Sequence, residues 1–221
     1  MSSRSATPAP SPTPRGGRRR LPGHERRVLI FDAALRTFAA SGYDGAAMDE
    51  IAAAAGVSKA VVYDHVTSKR ELYTHLLDMT RGELEQTVSE ALRPPIAGGQ
   101  ERVHAAMTAV FQYVEEHPEA SRLLLRELQA ADASPIGHAL EDRIAHGIAS
   151  TLGSDPELLR SRPHRARQLE MLAELLKSAV LGLANWWYRN PKAPRGELVE
   201  RSVAVVWPAI ERARADILPG G

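Results

Sequence analysis

The chain has 221 residues, 43% of them hydrophobic and 25% charged, which is globular composition with ample material for a core. Cysteine is absent, which excludes disulfides, thiolate metal sites and cysteine nucleophiles and fits a reducing compartment. The formal net charge of +1 favours no polyanionic partner, yet it is unevenly spread: residues 1–23 carry Arg4, Arg15, Arg18, Arg19 and Arg20 and no acid. The longest apolar stretches, such as Ser178 to Trp187, fall short of the roughly 20 residues that a bilayer span needs. The N-terminus lacks the apolar region of a secretory signal, so a cytoplasmic location with no membrane contact is expected.

Aromatic residues make up only 5% and alanine and leucine dominate the apolar set, so helices packed on helices, an all-α fold, are expected. Residues 1–23 read as a basic arm, disordered when free, because five prolines among Ser, Thr, Gly and Arg bury too little to offset ordering entropy. From His24 a helical pattern begins, with Val28, Phe31, Leu35 and Phe38 on one face, and Ser41 to Gly45 ends it. Met48 to Ala55 forms a short second helix with Met48, Ile51 and Ala52 inward, and Gly56 supplies the turn after it. Ser58 is the N-cap of a third short helix whose Val62 and Val66 face inward. Ser68 and Glu71 form a capping box that opens a fourth helix running toward Ala91.

Arg93-Pro94-Pro95 and Ile96-Ala97-Gly98-Gly99 mark a composition break, and longer helices follow. One carries Val103, Met107, Val110, Phe111 and Val114; a second, opened by Pro118, carries Leu123 to Leu128. A third carries Ile136, Leu140, Ile144, Ile148 and Leu152, and a fourth runs from Leu169 through Trp186 and Trp187. The last contains Leu198, Val199, Val203, Val206 and Ile210, with Pro208 expected to kink it or truncate its hydrogen bonding. Domains are expected at 24–84, a unit of short helices, and at 85–221, a unit of longer ones.

Two short helices joined by a glycine turn have the shape needed to place one helix end in a major groove. Lys59, Tyr63, His65 and Lys69 cluster around the third helix, supplying two fixed charges, a phenol and an imidazole suited to phosphate oxygens. Ala60 and Val61 reach only apolar base features such as thymine methyls, so backbone positioning outweighs direct readout. The arginines of the arm, Arg15, Arg18, Arg19 and Arg20, are candidates for auxiliary DNA contact, with a solvated tail as the alternative.

Residues 24 to 75 resemble the TetR family of bacterial regulators. The resemblance rests on Arg27, Ile30, Ala33, Ala34, Phe38, Gly42 and Tyr43, then Ile51-Ala52 and Ala55-Gly56-Val57-Ser58, then Tyr63, His65, Lys69 and Leu72. It implies that Ser58, Lys59, Ala60 and Val61 face bases while Tyr63, His65 and Lys69 take phosphates. It also implies a homodimer built on the last two helices, a palindromic double-stranded operator, and a small-molecule effector inside the C-terminal domain. A repressor released from its operator by that ligand is the expected function. The chain departs from the family pattern at Ala46-Ala47, where Thr or Ser usually caps the second helix, while Glu50 keeps the capping-box partner position.

Met107, Phe111, Leu124, Leu128, Ile144, Leu175 and Trp186 are candidates to line the effector pocket, which an apolar lining suits to a hydrophobic or amphipathic molecule. Trp186 and Trp187 lie about 100° apart around their helix and so serve different surfaces. Asp142 and His146 stand four apart, but no second ligand pair accompanies them, and no metal or cofactor is expected. His104, His138 and His164 are scattered, and no catalytic triad order, phosphate loop or paired carboxylates are recognisable, which leaves an enzyme or a DNA-free helical scaffold as weaker alternatives.

Overall fold

The computed structural model describes residues 22–96, 98–129, 135–137, 139, 142 and 164–217, and the side chains of all of these except 164–166, 168–170 and 213–217. Among the described residues every element is a helix. The first, α1 (Gly23–Gly45), buries Ile30, Phe31, Ala33, Ala34 and Phe38, the three- and four-residue spacing that puts them on one side. Val28, expected on that side, is 65% exposed. The buried stripe begins a half-turn later, at Ile30.

Helical geometry in α1 breaks at Gly42, where φ is 74° and ψ is −177°. That left-handed φ favours glycine. A second reason for glycine is contact, since a Cβ built there would lie 2.8 Å from Nε of Arg126. The Arg126 guanidinium lies against this kink and donates from Nη1 to the Ala40 carbonyl at 3.0 Å.

Helices α2 (Met48–Ala54) and α3 (Lys59–Tyr63) are linked through Gly56, whose φ of 68° makes the turn. Met48, Ile51 and Ala52 on α2 and Val62 and Val66 around α3 are buried in the same cluster as the α1 stripe. Fully burying each larger side chain contributes about 1.5–3 kcal/mol, far more than the intrinsic preference of a five- or seven-residue helix supplies. Packing therefore holds these two helices.

Helix α4 (Lys69–Leu92) is continuous across residues 84 and 85, so the boundary drawn there falls inside a helix shared by both units. The composition break at residues 93–98 separates it from α5 (Gly99–Glu116), and α6 (Pro118–Gln129) follows with Pro118 in its first turn, where a missing N–H costs nothing. Leu123, Leu124 and Leu128 of α6 complete the core of α1 to α4, whereas Leu125 belongs to a second cluster with Phe111. That second cluster gathers Ala184 and Trp187 of α7 (His164–Arg189) and Leu198, Val199 and Val203 of α8 (Arg195–Ile217). Of the expected third helix of the regulatory half, residues 135–137, 139 and 142 are helical; Leu140, Ile144, Ile148 and Leu152 lie outside the described residues. Pro208 does not truncate α8, which runs on to Ile217. The proline is exposed while Val206 and Ile210 on either side of it are buried, so packing carries the helix across the lost backbone donor.

Two tyrosines tie α4 to its neighbours. Tyr73 donates to Oε2 of Glu127 on α6 at 2.6 Å, and Tyr113 of α5 donates to Oε2 of Glu83 at 3.0 Å. Burial, reinforced by these carboxylate acceptors, pushes both phenols above the ordinary tyrosine range. Gly42→Ala is expected to lower the unfolding free energy by about 1–2 kcal/mol from the backbone alone, read as a lower urea midpoint. A midpoint equal to that of the parent would show that neither the left-handed φ nor the Arg126 contact is required.

Candidate nucleic-acid interface

The candidate surface is built around the short α3. Ser58 sits in extended backbone at its N-cap and its Oγ accepts from the Val61 N–H at 3.4 Å, which fixes where the helix starts. Val62 is fully buried. With that residue as the keel, Ser58, Lys59, Ala60 and Tyr63 are left exposed on the outer side. Tyr63 is 44% exposed, with its phenol free to reach a phosphate.

The remaining candidates are less free. Val61 is half-buried against the core, so of the two apolar reading positions Ala60 is the one presented to solvent. His65 is half-buried just beyond the helix. Lys69 is also half-buried: Nζ donates to the Asp44 carbonyl at 3.4 Å and lies 4.8 Å from the centre of the Tyr43 ring. Its ammonium thus spans from α4 to the end of α1 at the edge of the same surface. Arg15, Arg18, Arg19 and Arg20 lie outside the described residues.

Lys59 is not a bare cation. Its Nζ donates to Oδ2 of Asp49 on α2 at 2.9 Å, and both side chains are substantially exposed. This hydrogen bond and charge raise the lysine pKa above its ordinary value. Sequence reasoning missed Asp49, although a carboxylate in the first turn of α2 ten residues before Lys59 was there to be read. The two residues meet only because the Gly56 turn folds α3 back across α2.

The caps show what each helix start relies on. Ala47 at the α2 N-cap has no side-chain oxygen, and only half of a capping box remains, with the Ala47 N–H donating to Oε2 of Glu50 at 3.3 Å. At α4 the Glu71 N–H donates to Ser68 Oγ at 3.1 Å, while the Glu71 carboxylate reaches back to the Thr67 N–H at 2.6 Å and to the Thr67 hydroxyl. Those bonds from Thr67 hold the Glu71 carboxyl below the usual carboxylate range. The box is therefore anchored on Thr67 as well as on the expected Ser68.

The apolar residues expected to line one effector pocket are not brought together. Leu124 and Leu128 are buried in the core shared with α1 to α4, because α6 lays its apolar face there. Phe111 is buried in the second cluster with Met107 against it. Leu175 is 69% exposed and Trp186 44% exposed, and Ile144 lies outside the described residues. Trp187 is the inward tryptophan, donating from Nε1 to the Ala193 carbonyl at 2.9 Å. A shallow, solvent-open groove of about 390 Å³ lies between α4 and α5, lined by Thr87, Ala91, His104, Ala105, Thr108 and Gln112. His104 also faces Glu200 of α8 at 3.3 Å. Asp142 is exposed on helical backbone, and His146, His138 and the His164 side chain lie outside the described residues.

Two outcomes are expected. Ala47→Ser, placed in backbone already extended at φ −111° and ψ 141°, restores the missing cap and adds about 1 kcal/mol to unfolding. A thermal or urea midpoint that stays put or falls contradicts this helix start. Lys69→Ala weakens binding to all DNA sequences alike and reduces the slope of log K against log salt by about one. A changed sequence preference with an unchanged slope contradicts a phosphate role.

The comparisons with known proteins agree with this geometry. Residues 30–76 match the family described as bacterial regulatory proteins, tetR family, and residues 100–209 match the tetracyclin repressor-like C-terminal domain. The chain is 34% identical over 204 residues to the HTH-type transcriptional activator FasR of Mycolicibacterium smegmatis, covering 88% of each chain. It is 30% identical over 115 residues to the HTH-type transcriptional repressor SCO4008 of Streptomyces coelicolor, covering 52% of this chain and 56% of that one. Among solved structures, a TetR-like transcriptional regulator from Rhodococcus sp. RHA1 superposes with a TM-score of 0.69 at 22% identity, over 87% of this chain and 99% of the other. These matches extend the likeness from the helix-turn-helix into the C-terminal half, and no helix of the described residues is long and apolar enough to cross a membrane. The chain belongs to the tetR family of bacterial regulatory proteins and is a DNA-binding transcriptional regulator, not an enzyme.

Proposed function

We propose that this protein is a homodimeric, ligand-responsive repressor that holds a palindromic operator through α3 and leaves it when a small molecule binds its C-terminal half. The observation that carries the reading is the Ser58-capped helix with Val62 buried beneath it and Lys59, Ala60 and Tyr63 turned outward. A helix so short depends on the core beneath it for its position. Its usefulness lies in being presented end-on by a rigid core, and two copies about one helical turn apart, roughly 34 Å, address successive major grooves.

Dimerisation is supported by an apolar stripe on the last two helices. Met171, Leu175 and Trp186 are 60%, 69% and 44% exposed along α7, and Val205 is 67% exposed on α8. Apolar side chains recurring at helical spacing on adjacent helices fit a second copy of the same face, which buries them around a two-fold axis. Ligand response is supported by α6, which touches the core beneath the DNA-binding helices on one side and the regulatory cluster on the other. A ligand that favours a different α6 position changes the distance between the two α3 helices, provided that it binds the two states unequally.

Activation is the second reading, favoured by the name of the Mycolicibacterium relative. The same operator contact represses where it blocks polymerase and activates where it recruits it.

The test is selection of duplexes from a randomised pool, followed by footprinting and a promoter reporter. The reading expects a protected inverted repeat, lowered reporter output, and loss of protection when a molecule co-purifying with the protein is added back. It also expects Leu175→Glu to give monomers that protect the repeat far more weakly. Recovery of no sequence above background contradicts the function, and raised reporter output replaces repression with activation.

A further inference from the structure

The surface around α3 is poor in positive charge for a DNA-binding face. Between residues 44 and 71 there are three basic residues, Lys59, Lys69 and Arg70, against five acids, Asp44, Asp49, Glu50, Asp64 and Glu71. Two of those acids serve the fold: the Glu50 carboxylate takes the Ala47 N–H and the Glu71 carboxylate takes Thr67, while Lys69 rests on the backbone carbonyl of Asp44. Asp49 is different, because its carboxylate is spent on the one lysine of the recognition helix, in an exposed pair at 2.9 Å.

We infer that Asp49 is a specificity-determining residue of the DNA contact, acting by holding Lys59 away from indiscriminate phosphate binding. The inference rests on the proposed α3 interface. A free lysine ammonium gains as much from a phosphate on any sequence as on the operator. Tied to Asp49, Lys59 presents a phosphate with a charge already offset by its partner, and the Asp49 carboxylate itself repels the backbone. A phosphate offers that carboxylate nothing in return. A major-groove edge does, because guanine O6 and N7 accept from the lysine while a cytosine N4 amine donates to the carboxylate. An exposed ion pair of this kind is weak in itself, which keeps it exchangeable. The pair thus lowers affinity for random sequence more than for a site that satisfies both of its members.

The test uses the full chain as wild type, Asp49→Asn, Lys59→Gln and the double variant. Each is titrated, across a salt series, with a random-sequence duplex and with the duplex that the wild type selects from a randomised pool. Thermal melting confirms that each variant is folded. Asp49→Asn is expected to tighten binding to random sequence by about two- to fivefold and to steepen its salt slope by about one. Binding to the selected duplex should gain less or fall, so the ratio between the two duplexes shrinks. In the Lys59→Gln background, Asp49→Asn should do much less on random sequence, which identifies the lysine as the route. An unchanged ratio and slope for Asp49→Asn overturns the inference while leaving the α3 interface standing. An equal gain with and without Lys59 also overturns it, since simple removal of a negative charge then accounts for the effect. Failure of the wild type to select any duplex instead counts against the interface itself.

Discussion

The packing of α6 is the interaction on which the rest depends. Its twelve residues place Leu123, Leu124 and Leu128 in the core of α1 to α4 and Leu125 in the cluster of α5, α7 and α8. The DNA-binding helices therefore do not own a complete core. Polar contacts fix the register of this joint: Glu127 accepts from buried Tyr73, and Arg126 lies against the Gly42 kink and holds the Ala40 carbonyl. A hydrogen bond between buried partners is expensive to leave unmade, so α6 cannot slide over α1 and α4 by small amounts. A two-position α6 is what the proposed ligand response would require.

From that joint outward, the recognition helix is positioned by burial and presented by a cap. Val62 and Ile51 are fully buried and set the angle of α3 over α2. Ser58 fixes its first turn, and the missing hydroxyl at Ala47 leaves α2 held by its buried face and by Glu50. Both lysines of the candidate surface have partners within the fold: Lys59 is paired to the Asp49 carboxylate, and Lys69 rests on the Asp44 backbone carbonyl and the Tyr43 ring.

Much of the N-terminal unit was legible in the sequence because its signals are local. Gly56, Ser58, Ser68 and the spacing of Met48, Ile51 and Ala52 each determine a turn, a cap or a buried face within a few residues. The errors came where distance in sequence hides contact in space. Val28 obeys the apolar period yet stands exposed, and Leu124 and Leu128 look like pocket lining until α6 is seen to close the core of α1 to α4. Leu175 and Trp186 carry the period of an inward face but stand exposed, because α7 has two apolar sides and only one is covered within a single chain. Asp49 was overlooked for the same reason, since its partner Lys59 lies across a turn. Pro208 removes a backbone donor, as its local rule says, yet α8 continues to Ile217 because neighbours on both sides are buried.

The central claim is that DNA contacts the chain through α3 and the start of α4, on a surface held rigid by the shared core. Amide hydrogen exchange of the full-length protein, measured with and without a duplex that it selects, tests this most directly. The account predicts slowed exchange concentrated in residues 58–69, with α7 and α8 unchanged. Slowing confined to α7 and α8, with residues 58–69 exchanging as in the free protein, would contradict it.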